Sequence, residues 1–403
     1  MSEQALFALT TIIIVGITAQ WLAWRFKIPA IFLLILLGIV SGPVLHLIVP
    51  DRLFGNLLFP LTSIAVALIL FEGGLNLRIA DLKQAGAAVR GLICVGVIVT
   101  WLAGALAGYL LLGFDCQVAL LLGAILVVTG PTVIVPLLRQ VPLTRRLAAI
   151  LRWEGILIDP LGAMLAVLVF EARFSDGIHE AIKFAFLGAG KTILLGGALG
   201  ILGAGLIAFL IKRSYIPDYL QIPVTLTVIV SVYATANLLR TESGLLAVTI
   251  LGISLANQKT VAVGQIINFF ENLRVILLSS LFTVLAARLS FNDLGYMLSW
   301  NSLAFLGLLI LVVRPVAVTL GTIRAGLSRR ERIFLGFVAP RGIVAASVSA
   351  SPPASKTVPQ AAPLNRGRRP LSERPRDGHL PEAQMGLHDL FAVRLPQNGL
   401  GGG

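Results

Sequence analysis

Charge is scarce in this 403-residue chain: Asp, Glu, Lys and Arg make up 13% of it, against about 25% in ordinary soluble domains. With 57% of residues hydrophobic, too little polar surface remains to wrap a water-soluble core. Cysteine is nearly absent. Cys94 and Cys116 lie within or beside apolar runs and have no metal-ligand spacing around them, which excludes a disulfide framework and a zinc site. The four histidines, His46, His179, His379 and His388, form no nucleophile or metal-ligand pattern, so no hydrolytic or redox centre is expected, and no cofactor. The amino terminus lacks the basic stretch of a cleavable signal, and its apolar run to Phe26 reads as a first spanning helix.

Apolar runs of bilayer-crossing length are what the chain has in abundance. Divided at Pro, Gly and charge clusters, they predict about twelve helices at residues 5–26, 30–49, 54–75, 86–113, 117–138, 148–170, 185–211, 219–239, 243–257, 263–288, 303–323 and 333–350. The formal charge of +13 does not point to nucleic acid, because its basic residues sit in short groups between these runs. They follow the odd-numbered spans, as at Arg78, Lys83 and Arg90 or at Arg139, Arg145 and Arg146. Lysine and arginine are retained on the cytoplasmic side, so the amino terminus is expected outside an inner (plasma) membrane.

That phase starts spans one to six and eight onward from opposite sides, the geometry of two inverted six-helix repeats. The fifth span contains TGPTVIVP, with Gly130 and Pro131, and the twelfth VAPRGIV, with Pro340 and Gly342. Each interrupts a helix at an equivalent place, which predicts two broken helices rather than two simple kinks. From residue 351 the chain turns rich in Pro, Arg and Gly and reads as a disordered tail. The expected division is a transmembrane domain over 1–350 and this tail over 351–403. The abrupt change is read as a frameshift, a misjoined frame or a truncation that removes a thirteenth helix, with a genuine disordered tail as the alternative.

An ionisable side chain at bilayer depth is costly, so each is a functional candidate. Asp159 is the sharpest, set between Ile156, Leu157 and Ile158 on one side and Pro160, Leu161 and Gly162 on the other, with no basic neighbour in sequence. A carboxylate so placed is neutralised by a proton or by a small cation, and competition between the two couples their fluxes. Thr129 and the carbonyls freed around Pro131 would add oxygens. Glu154, five residues earlier and on another face, is expected to pair with Arg341. Glu271 and Arg274 stand three apart and are placed to pair along one helix. Glu72 is read as a wet, accessory carboxylate near a membrane end, and Arg314 as a further intramembrane charge. The sequence GAGKT at 188–192 lacks the first glycine of a phosphate-binding loop, where Ala185 stands, and is set aside.

FEGGL at 71–75, TGPTVIVPLLR at 129–139, EGILIDPLGA at 154–163, ENLRVILLSSLF at 271–282 and APRGIV at 339–344 together resemble the NhaP-like branch of the monovalent cation:proton antiporters. The likeness covers residues 5–350. It implies thirteen helices in two inverted repeats with broken, crossing helices five and twelve, a homodimer in the lipid bilayer, Asp159 as the ion-binding acid, Thr129 as a ligand and Glu154 with Arg341 as a stabilising ion pair. Where the family commonly has Asp, Asn and Ser, this chain has Gly130, Ile158 and Gly155. With one titrating acid left, one-for-one, electroneutral exchange of Na+ or K+ for H+ is expected. An inactive antiporter-like protein and a carrier of another solute on the same scaffold stay open as alternatives.

Overall fold

A computed structural model describes residues 2–128, 143–172, 178–291, 295 and 299–338. All of them fall within the unit Met1–Ala350. Among them every regular element is helical. The reason is the solvent: hydrocarbon offers backbone groups no partner, so each spanning segment must satisfy its own N–H and C=O groups.

The first half runs through α1 (Ser2–Phe26), α2 (Ala30–Ile39), α3 (Pro50–Phe54), α4 (Leu58–Leu75), α5 (Leu82–Gly91), α6 (Val97–Leu112), α7 (Cys116–Leu126) and α8 (Arg145–Ala172). The second comprises α9 (Ile178–Lys212), α10 (Gln221–Leu239), α11 (Ser243–Asn257), α12 (Gly264–Ala287), α13 (Trp300–Leu308), α14 (Arg314–Gly321) and α15 (Arg329–Phe337). Among the described residues three π-helical turns interrupt the α-helical ladder, at Val40–Val44, Leu92–Gly96 and Leu309–Val313. The last two join α5 to α6 and α13 to α14 into continuous spans.

Eight of these segments are long and apolar enough to cross a membrane, and Ala30–Val44, Cys116–Leu126 and Ser243–Asn257 are shorter apolar helices. The protein is therefore an all-helical, multi-pass membrane protein. Ten of the expected runs have an observed helical counterpart, the short ninth being α11, while of the fifth and twelfth only the first parts, up to Val128 and Val338, fall among the described residues. Stops follow local chemistry. Gly113, at φ +68, takes the left-handed position that ends α6, and Ser328 with Glu331 forms a reciprocal capping box that starts α15. α7 ends at Leu126 and α15 at Phe337. The residues expected to break the fifth and twelfth spans, Gly130, Pro131, Pro340 and Gly342, lie outside those described, as does the 351–403 tail.

The molecule is apolar outside as well as inside. α1 exposes Leu6, Phe7, Ile13, Ile14, Trp21 and Trp24 while burying the smaller Ala8, Ala19 and Ala23. Helix contact in lipid relies on small residues that let backbones approach. A Cβ on Gly74 would stand 2.6 Å from the Thr249 carbonyl oxygen, and one on Gly252 2.4 Å from that of Phe71, so α4 and α11 lie in backbone contact. The same device joins α5 to α14, where a Cβ on Gly91 would overlap the Gly321 carbonyl.

Candidate functional site

The site is built around α8. Pro160, inside this helix, has no N–H to give to the carbonyl four residues back, so the oxygen of Ile156 loses its helical partner. Ile156 precedes Asp159 by three residues and so shares its face. A carboxylate and a freed carbonyl thus stand together in the apolar interior. Oδ1 of Asp159 is fully enclosed and has no hydrogen-bond partner. No described basic side chain forms an ion pair with it.

Neighbouring helices close on this stretch from two sides. A Cβ on Gly162 would stand 2.5 Å from Cγ2 of Val128, so the chain leaving α7 meets α8 one turn beyond Asp159, immediately before Thr129. On the other side a Cβ on Gly73 would stand 3.3 Å from Cγ1 of Ile156, which brings α4 against α8 one turn before Asp159. Thr129 itself lies outside the described residues.

Glu154 is buried and bonded to Arg314, with Nη1 of the arginine 2.5 Å from Oε1. Arg314 is the first residue of α14, directly after the π-helical turn Leu309–Val313. Its Nη2 donates to the carbonyl of Val338, at 3.4 Å, so one guanidinium ties α8, α14 and the end of α15 together. The expected partner, Arg341, lies outside the described residues, and in the structure Arg314 holds the glutamate.

Glu72 departs further from expectation. It is buried at 2% exposure instead of wet, because α11 covers α4 through the Gly74 and Gly252 contact. Arg274 of α12 donates to its Oε2 at 3.0 Å and Asn76 to its Oε1 at 2.8 Å. Arg274 therefore reaches across to α4. Asn76 was not among the residues expected to matter, although its i+4 spacing from Glu72 was a readable signal. Cys94 and Cys116 are free thiols. No group of three metal-binding side chains exists among the described residues.

This arrangement has relatives. A family model described as "Sodium/hydrogen exchanger, transmembrane" matches residues 9–365. The K(+)/H(+) antiporter NhaP2 of Shewanella baltica (strain OS223) is 29% identical over 332 residues, covering 79% of this chain and 55% of the relative. The chain thus spans about half the length of the NhaP2 proteins it matches. Na(+)/H(+) antiporter 1 of Methanocaldococcus jannaschii is 27% identical over 350 residues, 84% of this chain and 80% of the relative. The solved structure of the sodium proton antiporter MjNhaP1 from the same organism, at pH 8, superposes with a TM-score of 0.75 and 26% identity. That superposition covers 86% of this chain and 85% of the solved one.

Proposed function

The chain belongs to the sodium/hydrogen exchanger family, and from that premise we propose that it exchanges Na+ or K+ for protons across the plasma membrane, with Asp159 as the shared binding site. The single observation carrying this reading is the enclosed, unpartnered Oδ1 of Asp159 beside the carbonyl that Pro160 frees. Bare, an ionised carboxylate there would be prohibitively desolvated. A proton neutralises it. A dehydrated monovalent cation does the same when neutral oxygens complete its shell, and the Ile156 carbonyl with Thr129 are those oxygens. Cation and proton exclude one another at one carboxylate, so a gradient of either drives the other.

Alternating access follows from the inverted repeat, whose broken helices carry Gly130 and Pro131 in one half and Pro340 and Gly342 in the other. Glu154 with Arg314, and Arg341 in the broken twelfth span, fix the scaffold without binding the ion. Glu271 is accessory. The working form is a homodimer with its amino terminus outside, the 1–350 domain transports, and 351–403 is an appended tail.

The test uses proteoliposomes with an internal pH dye and an imposed sodium or potassium gradient. The full chain alkalinises or acidifies the lumen according to gradient direction, and Asp159→Asn abolishes the response. Equal responses from the two proteins would remove Asp159 from the mechanism, and no response from the native chain would remove the exchange reading.

A further inference from the structure

Among the described residues Glu72 and Arg274 are the second buried ion pair, and the exchange reading has given them no work. Their position is not incidental. Glu72 lies next to Gly73, the residue that seats α4 against Ile156, one turn from Asp159 on α8. Phe71 meets Phe270 edge to face with ring centroids 4.8 Å apart, which registers α4 against α12 beside the pair. The carboxylate is 2% exposed and the guanidinium 11%, so neither is solvated enough to stand alone. Both carboxylate oxygens are taken, one by Arg274 and one by Asn76. The charged groups facing Glu72 are Arg274 and, more weakly, Glu271 of the same helix.

We propose that Arg274 is a charge-setting residue: a tethered cation that occupies Glu72 and keeps this second carboxylate from carrying ions, so that transport runs through Asp159 alone. The proposal rests on the exchange reading. Its logic is electrostatic. A pair of opposite charges crosses the cycle as a neutral unit, whatever state Asp159 is in. Take the guanidinium away and Glu72 becomes another buried acid near the same helix: in the proton-loaded state it and Asp159 each carry a proton, in the cation-loaded state one cation serves both carboxylates, and so two protons move against one cation with a net charge of one. Arg274 is thus the internal competitor of the substrate, covalently held and always charged. Arg314 performs no such service for Asp159, because it is committed to Glu154 and Val338.

The experiment measures proton-to-cation ratio in proteoliposomes, by finding the opposing gradients at which net flux vanishes, with membrane potential set independently by a thiocyanate gradient. The native chain balances at about one proton per cation and ignores the potential; Arg274→Gln balances toward about two and responds to it. The double variant Glu72→Gln/Arg274→Gln removes both charges and returns to the native ratio. Glu72→Gln alone leaves an unpaired guanidinium beside the path, and its KM for the cation rises about tenfold through like-charge repulsion. If the native chain exchanges and Arg274→Gln keeps the native ratio, the proposal is overturned while the exchange reading stands. If Arg274→Gln fails to assemble, an unchanged KM in Glu72→Gln overturns it equally. Absence of exchange in the native chain removes both.

Discussion

Asp159, half-buried with one oxygen enclosed, and Glu72, fully buried, are carboxylates on helices that touch, and the protein keeps them in opposite ways. Glu72 has a cation on one oxygen and an amide on the other, whereas the enclosed oxygen of Asp159 bonds to nothing. Glu154, five residues from Asp159 on α8, shares the cation but not the amide: Arg314 holds its Oε1, and its Oε2 is enclosed without a hydrogen-bond partner. The difference separates two uses of buried charge: a paired carboxylate holds helices in register, and an unpaired one is free to take a proton or a cation. Asp159→Asn therefore carries the largest functional loss. Arg314→Gln carries the largest structural one, since it strands Glu154 without a counter-charge. Breaking a buried pair from one side costs about 3–5 kcal/mol. Thermal unfolding in detergent would read this as a sharp fall in midpoint, largely recovered in Glu154→Gln/Arg314→Gln. A single variant as stable as the native protein would mean that Glu154 is not held by Arg314.

Next in size is Gly162→Ala. The added methyl meets Val128, and overpacking of this kind costs about 1–3 kcal/mol. Because Val128 leads directly into Thr129, the displacement also moves the expected oxygens away from Asp159, so KM for the cation rises along with the stability loss. A stability loss with unchanged KM would detach Thr129 from the ion site and leave Asp159 to work with the Ile156 carbonyl alone.

The helices were legible because lipid imposes a single length scale and leaves the backbone one solution. Even the fifteen-residue α11 could be read, since polar residues close it on both sides. The acids were legible too, being rare in apolar runs. Their partners were not. Glu154 and Arg314 are 160 positions apart, and Glu72 and Arg274 are 202 apart, so no local spacing joins them. Local spacing was also incomplete: Glu271 lies three residues from Arg274, and nothing in that spacing signals that the guanidinium reaches Glu72 on another helix. Nearness to a span end also misled for Glu72, because the covering helix α11 comes from the other half of the chain. What the sequence does show at that point is a run of glycines, and glycines in lipid mark where another backbone arrives.

Ion pairs at the rim complete the contrast. Arg288, at the end of α12, bonds Asp51 of α3 at 3.1 Å and lies over the Phe59 ring at 5.5 Å, but the Asp51 side chain is 61% exposed. Water already screens that carboxylate, so the pair gains little Coulomb energy and still orders two side chains. Pairs of this kind contribute about 0–1 kcal/mol. Asp51→Asn should therefore shift the unfolding midpoint by less than any buried-charge variant. The guanidinium keeps its contact with the ring, which does not depend on Asp51. Raising salt should weaken the native pair and leave the variant unaffected, so the two midpoints converge at high ionic strength. The Arg314 and Glu154 variants, whose charges salt cannot reach, should keep their separation from the native protein. Convergence in both series would mean that exposure does not sort these pairs, and the division between holding and exchanging carboxylates would lose its physical basis.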